Sequence, residues 1–121
     1  MQITPEEFDE VVAINQRGTF LGCQVFGAHM AAAGYGRLIN LASLAGQNGG
    51  TATGAHYASS KGAILTLTKI FARELAASNV TVNAIAPGPL DLPSVRALVP
   101  PDALDKLVAN IPVRRRDRSE E

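Results

Sequence analysis

With 121 residues, 46% of them hydrophobic, 18% charged and 5% aromatic, the chain has the composition of one packed domain rather than of a disordered polymer. Eleven basic residues balance eleven acidic ones, so no global charge draws it to nucleic acid or to an anionic membrane. A single cysteine, Cys23, excludes an intramolecular disulfide, and no apolar run approaches the roughly 20 residues of a membrane span, so a cytoplasmic protein is expected.

The first element opens at "TPEE", where Thr4 can cap, Pro5 suits the first helical position and Glu7 stands where a capping box places its acid. The spacing of Phe8, Val11, Val12, Val25 and Phe26 predicts a helix over 5–33, with Asn15 on the same face. Ala13, Phe20, Cys23 and Met30 form a second apolar stripe, which implies contact on two sides. "GYG", residues 34–36, ends the helix. "RLINLAS", residues 37–43, lacks polar alternation and reads as a strand buried on both faces. A glycine-rich connection, "LAGQNGGTATGA", leads into a second helix over 56–78, and "VTVNAIA", residues 80–86, is a second buried strand. Helix, strand, helix, strand in that order implies parallel strands joined by a helical crossover. Prolines in "PGPLDLPS" and "VPPD" then interrupt the chain around two short helices, 94–99 and 102–110. The basic run "RRRDR", residues 114–118, reads as a solvated terminus. Two strands are too few for a doubly wound sheet, and the helices carry more apolar faces than two strands can cover.

Tyr57 and Lys61 stand four apart on the second helix and project to one side. A free phenol has a pKa of about 10, and a neighbouring ammonium favours the phenolate, giving a general acid suited to a developing alkoxide. Ser43, at the C-terminal end of the first strand, is placed to hold a carbonyl oxygen, because open α/β sheets bind ligands at those ends. From the pair alone, a half-buried tyrosine beside a solvated lysine remains the alternative.

Four segments in succession, "INQRGTF", "LINLASLAG", "YASSKGAILTLTKIFARELA" and "VTVNAIAPG", resemble the second half of the short-chain dehydrogenase/reductase family, most of all its 3-oxoacyl carrier-protein reductase-like members. The resemblance implies an α/β fold, here an incomplete Rossmann-like doubly wound parallel sheet that lacks the N-terminal dinucleotide-binding half. It implies Tyr57 as catalytic acid/base and Lys61 as the lysine that lowers the tyrosine's pKa and bonds the nicotinamide ribose. Ser43 matches the serine that polarises the substrate carbonyl, and Asn15 the asparagine that holds a water in the relay to Lys61. Pro87, Gly88 and Leu90 match the turn beside the nicotinamide, so NAD or NADP is the expected cofactor and no metal is expected. Leu92 departs from the threonine usual at its position.

The resemblance further implies a small carbonyl or alcohol substrate, covered by a lid over 90–112. The apolar residues there, Leu92, Val95, Leu98, Val99, Leu104, Leu107 and Val108, point to a hydrophobic or acyl-type compound. The helices over 5–33 and 56–78 match the pair that joins family members into homodimers or homotetramers. "GQNGG", residues 46–50, lacks the G-x-G-x-x-G order of a phosphate cradle. The chain therefore reads as the catalytic half of one Rossmann domain over 1–121. The alternative is a truncated, catalytically idle piece that acts only through helix-mediated oligomerisation.

Overall fold

A computed structural model describes residues 2–112, 115 and 116. The chain divides into two units, Met1–Ala86 and Pro87–Glu121.

The first unit begins with α1, Pro5–Val12, whose start is the capping box foreseen in the sequence. The Glu7 N–H donates to Thr4 Oγ1 at 3.1 Å, and the Thr4 N–H donates to Glu7 Oε2 at 2.8 Å. The helix expected over 5–33 is not uniform: a π-helical turn, Ala13–Arg17, separates α1 from α2, Gly18–Ala33. In that turn the Gly18 N–H reaches back five residues to the Ala13 carbonyl, and Thr19 Oγ1 donates to the Asn15 carbonyl at 2.7 Å. Such single-turn widenings re-aim a side chain without ending the helix. α2 stops at Gly34, whose φ of 74° suits a residue without a Cβ.

Strand β1, Gly36–Leu41, pairs in parallel with β2, Val80–Ile85, with Gly36 opposite Val80 and Leu41 opposite Ile85. Between them run a short helix, α3, Ala45–Asn48, and the long crossover helix α4, Ala55–Leu75, which tightens into a 3-10 turn at Ala76–Ser78. α3 lies inside the segment that the sequence presents as a loop.

The core lies between the sheet and the helices α2 and α4. Ile64, Val80, Val82 and Cys23 are buried there, and each large aliphatic contributes about 1.5–3 kcal/mol by leaving water. At its centre Asn40 of β1 donates to Thr68 Oγ1 of α4 at 3.0 Å and meets Cys23 Sγ of α2 at 3.4 Å. Gly27 of α2 lies so near α4 that a Cβ there would stand 2.8 Å from Leu75 Cδ1.

One expectation is corrected. The strands are buried on one face only: Ile39, Leu41 and Ile85 are 63%, 62% and 52% exposed. Strand side chains alternate, and α2 and α4 engage the face that carries Leu38 and Asn40. On α2 the buried positions are Cys23 and Gly27, whereas Val25 and Phe26 of the other apolar stripe are exposed.

In the second unit α5, Pro93–Leu98, follows Leu92 as its extended N-cap residue, and α6 spans Pro101–Ala109. Asp91 accepts two hydrogen bonds from Arg96, both of 2.7 Å, and one from Arg116 of 2.6 Å. Arg116 is thus no part of a solvated terminus: its side chain is only 10% exposed. Arg114, Asp117 and Arg118 of the same basic run lie outside the described residues. Among the described residues no helix is long and apolar enough to cross a membrane.

Candidate active site

The site grows from the first two turns of α4. Gly54 is its extended N-cap residue, and the Tyr57 N–H, still without a helical acceptor at this depth, is 2.8 Å from His56 Nδ1. Helical spacing then sets Tyr57 and Lys61 on one side. The Lys61 Nζ lies 5.7 Å from the centroid of the Tyr57 ring, within range of a cation–π attraction. Lys61 also donates to the Leu41 carbonyl at 2.9 Å. Because Leu41 is the last residue of β1, this bond fixes the amine at the C-terminal end of the sheet. Partial burial pushes the Lys61 ammonium below lysine's ordinary value, since desolvation disfavours the charged form.

Ser43 lies two residues beyond β1, where the Ala42 N–H donates to the Ile85 carbonyl at 2.8 Å and prolongs the strand pairing. Its hydroxyl oxygen accepts from the Ala45 N–H at 3.2 Å, and its carbonyl accepts from the Gly46 N–H at 2.9 Å. The resulting turn is pressed against α4: a Cβ on Gly46 would lie 2.6 Å from both Gly62 N and Lys61 C. The fold thereby brings the Ser43 turn, the end of β1 and the Lys61 backbone into contact.

Asn15, carried by the π-helical turn, meets the same helix by another route. Its Nδ2 donates to Ser60 Oγ at 3.1 Å, and the Ser60 hydroxyl donates to the Tyr57 carbonyl at 2.8 Å. Asn15 therefore connects to Tyr57 through Ser60, a buried residue that the sequence reading does not single out. A signal was available: Ser60 shares a helical face with Ile64 and Thr68, the other buried positions of α4, and a hydroxyl there needs a partner.

Pro87, Gly88 and Leu90 belong to the second unit. In the glycine-rich connection Gly49 and Gly50 have φ of 85° and 70°, and the Gly50 N–H is taken by Asn48 Oδ1 at 2.8 Å. The Gly50 N–H is thus engaged within the turn itself.

A family model described as enoyl-(acyl carrier protein) reductase matches residues 1–121. The 2-(R)-hydroxypropyl-CoM dehydrogenase of Xanthobacter autotrophicus is 40% identical over 114 residues, covering 93% of this chain and 45% of the relative. The crystal structure of a 3-oxoacyl-[acyl-carrier protein] reductase from Brucella melitensis superposes with a TM-score of 0.90 at 34% identity, over 97% of this chain and 43% of that one. An NAD+-bound xylitol dehydrogenase gives a TM-score of 0.85 at 30% identity, over 95% of this chain and 50% of its own. The chain spans about half the length of the curated relatives it matches.

Proposed function

The chain belongs to the short-chain dehydrogenase/reductase family, and from that premise we propose that its residues serve an NAD- or NADP-dependent oxidoreductase that interconverts a carbonyl compound and an alcohol, with Tyr57 as acid/base. The observation that carries this reading is the Tyr57–Lys61 pair on one side of α4, its amine bound to the carbonyl that ends β1.

The donors at that point suit the nicotinamide-ribose part of the cofactor. Lys61 has three N–H donors and gives one to Leu41, which leaves two for a pair of ribose hydroxyls. The Tyr57 hydroxyl makes no hydrogen bond to any described residue. Pro87, Gly88 and Leu90 would flank the nicotinamide. The 121 residues contain no G-x-G-x-x-G run to cradle the pyrophosphate. When bound, the nicotinamide supplies or accepts the hydride.

This chain's own residues would handle the oxygen and its proton. Ser43 Oγ accepts from Ala45, so its hydroxyl proton is free to point at the substrate oxygen and hold the carbonyl in place. Tyr57 gives that oxygen a proton during reduction and takes one back during oxidation. Lys61, its amine 5.7 Å from the ring centroid, would stand beside Tyr57 in that exchange. Asn15 would hold the water through which the site exchanges its proton with solvent. By the family resemblance, the segment 90–112, apolar at Leu92, Val95 and Leu98, would be the substrate-covering part and suits a hydrophobic or acyl-type compound. Cys23, a free and buried thiol, suits work in a reducing cytoplasm.

The test is Tyr57→Phe in the enzyme that contains these residues. Loss of one positioned acid/base should lower kcat by about 10²–10⁴-fold, with NADH and NADPH affinity, followed by nicotinamide fluorescence, unchanged. A variant that keeps its rate would end the proposal.

A second reading rests on exposed apolar side chains. Ile14, Leu21, Val25 and Phe26 are all solvent-facing, and Ile70 on α4 is exposed as well. Such a surface favours association of copies through helices 5–33 and 56–78, in which case this chain alone would be catalytically idle. Leu21→Glu with Val25→Glu should then leave a monomer by light scattering, and a monomeric parent chain would remove this second reading.

A further inference from the structure

We propose that His56 is a positioning residue: its imidazole nitrogen Nδ1 caps α4 and holds the main chain of Tyr57 in the helix. This inference rests on the reading that Tyr57 is the acid/base of the site.

The first turn of α4 lacks the usual device. Its N-cap residue is Gly54, which has no side chain to accept from the third helical N–H, and that N–H belongs to Tyr57. In α1 the matching position is Glu7, whose N–H is taken by the Thr4 hydroxyl at 3.1 Å. In α4 the acceptor comes from inside the turn instead: His56 Nδ1 lies 2.8 Å from the Tyr57 nitrogen. The direction of this bond is fixed. A backbone N–H can only donate, so Nδ1 must present its lone pair, and the neutral ring carries its proton on Nε2.

The surroundings are shaped for this arrangement. The ring folds back over the start of the helix, so that a Cβ on Gly54 would stand 2.5 Å from His56 Cε1 and 2.7 Å from Nδ1. Ile3 Cδ1 crowds the same point at 2.8 Å. A serine or threonine cap at position 54 and the imidazole cap from position 56 therefore exclude each other, and this chain has the second.

The consequence falls on the Tyr57–Lys61 pair. At this end the helical ladder starts with the Ala58 N–H, which donates to the Gly54 carbonyl at 3.1 Å. Tyr57 precedes that bond and belongs to the turn that frays first. Lys61 sits one turn deeper and is tied to the Leu41 carbonyl at 2.9 Å. A cap at Tyr57 keeps the phenol in register with an amine that is already fixed. His56 thus acts through the Tyr57 main chain and not on the reacting oxygen.

The experiment records the hydrogen bond itself, as the nitrogen–nitrogen scalar coupling between the Tyr57 amide and His56 Nδ1 in the isotope-labelled 121-residue chain. A cross-peak is expected, and its absence where the Tyr57 amide is otherwise resolved overturns the proposal. Amide exchange then separates a cap from a merely packed ring, each rate being divided by that of the matching unfolded peptide. His56→Asn puts Oδ1 at the branch position of Nδ1 and should keep the Tyr57 amide protected. His56→Phe and His56→Gln keep bulk or polarity without that acceptor and should speed its exchange about fivefold. Gln protecting as well as Asn, or Phe leaving exchange unchanged, overturns the proposal. Should His56→Phe fail to fold, the parent cross-peak and the Asn–Gln comparison decide. In the enzyme that carries these residues, kcat should fall about fivefold in His56→Gln and recover in His56→Asn, with KM unchanged to within about twofold. Equal kcat in those two variants overturns the positioning role. If that enzyme shows no reductase activity, the functional reading fails, and the coupling and exchange measurements still decide whether His56 caps α4.

Discussion

Gly46→Ala puts the Ser43 turn to its most direct test. A methyl at this position would stand 2.6 Å from two backbone atoms of α4, Gly62 N and Lys61 C, and 2.8 Å from the Lys61 carbonyl oxygen. Ordinary contact begins near 3.4 Å, so the turn and the helix must part by roughly 0.8 Å, and backbone cannot yield as a flexible side chain would. Overpacking of this kind costs about 1–3 kcal/mol. The upper end applies here, because both opposing groups are main chain. Alanine's better helix propensity within α3 returns up to about 1 kcal/mol, for a net loss of about 2 kcal/mol. At about 2.1 cal/mol/K of unfolding entropy per residue, that loss lowers Tm by about 8 °C for a chain of this size. Urea and thermal unfolding followed by circular dichroism would measure it. Gly22→Ala is the control: nothing lies within 4 Å of its added Cβ in α2, so it should gain about 0.5–1 kcal/mol. If Gly46→Ala proved as stable as Gly22→Ala, the close seat of the turn on α4 would be wrong.

Other outcomes follow from the same contacts. Lys61 holds its proton less tightly folded than unfolded, so the unfolded chain binds more protons between the depressed value and lysine's ordinary value of about 10.4, and stability rises with pH across that window; Lys61→Met should flatten the rise in urea midpoints. At the other end of the scale, hydrogen bonds from Thr4, its backbone N–H first, hold the Glu7 carboxyl below its usual range. That contribution is present above about pH 4.3 and is lost as pH falls through the folded value, and Glu7→Gln should remove the dependence. Thr4→Ala should cost about 1 kcal/mol by freeing the first turn of α1, read as faster amide exchange at residues 6–8. Asn40→Ala deletes the bridge between Cys23 and Thr68 in the core and should cost about 1–3 kcal/mol in urea unfolding.

What the sequence disclosed depended on how local the cause was. The start of α1 was legible because Thr4, Pro5 and Glu7 act on their own neighbours, and the stop at Gly34 because a left-handed residue is written as glycine. The Tyr57–Lys61 pair was legible because helical spacing alone puts both on one side. The strands were misread in one respect. Ile39, Leu41 and Ile85 record a face that can be covered, but α2 and α4 cover only the other. The π-helical turn was invisible, because nothing in "AINQR" departs from ordinary helix composition, and the bond that uses it joins Asn15 to a residue 45 positions away. α3 hid among glycines whose small size serves the contact with α4. Arg116 looked solvated because its partner, Asp91, lies 25 residues earlier.

The parallel pairing of β1 with β2 also sets a timetable for synthesis. β1 leaves the ribosome before its partner, and the residue opposite Gly36 is Val80, so at 5–20 residues per second β1 waits roughly 2–9 s for β2. During that interval α4 is made, and the Asn40 face of β1 can seat on α2 and α4 before β2 arrives. Slower translation should therefore lengthen the time in which β1 is held by helices alone.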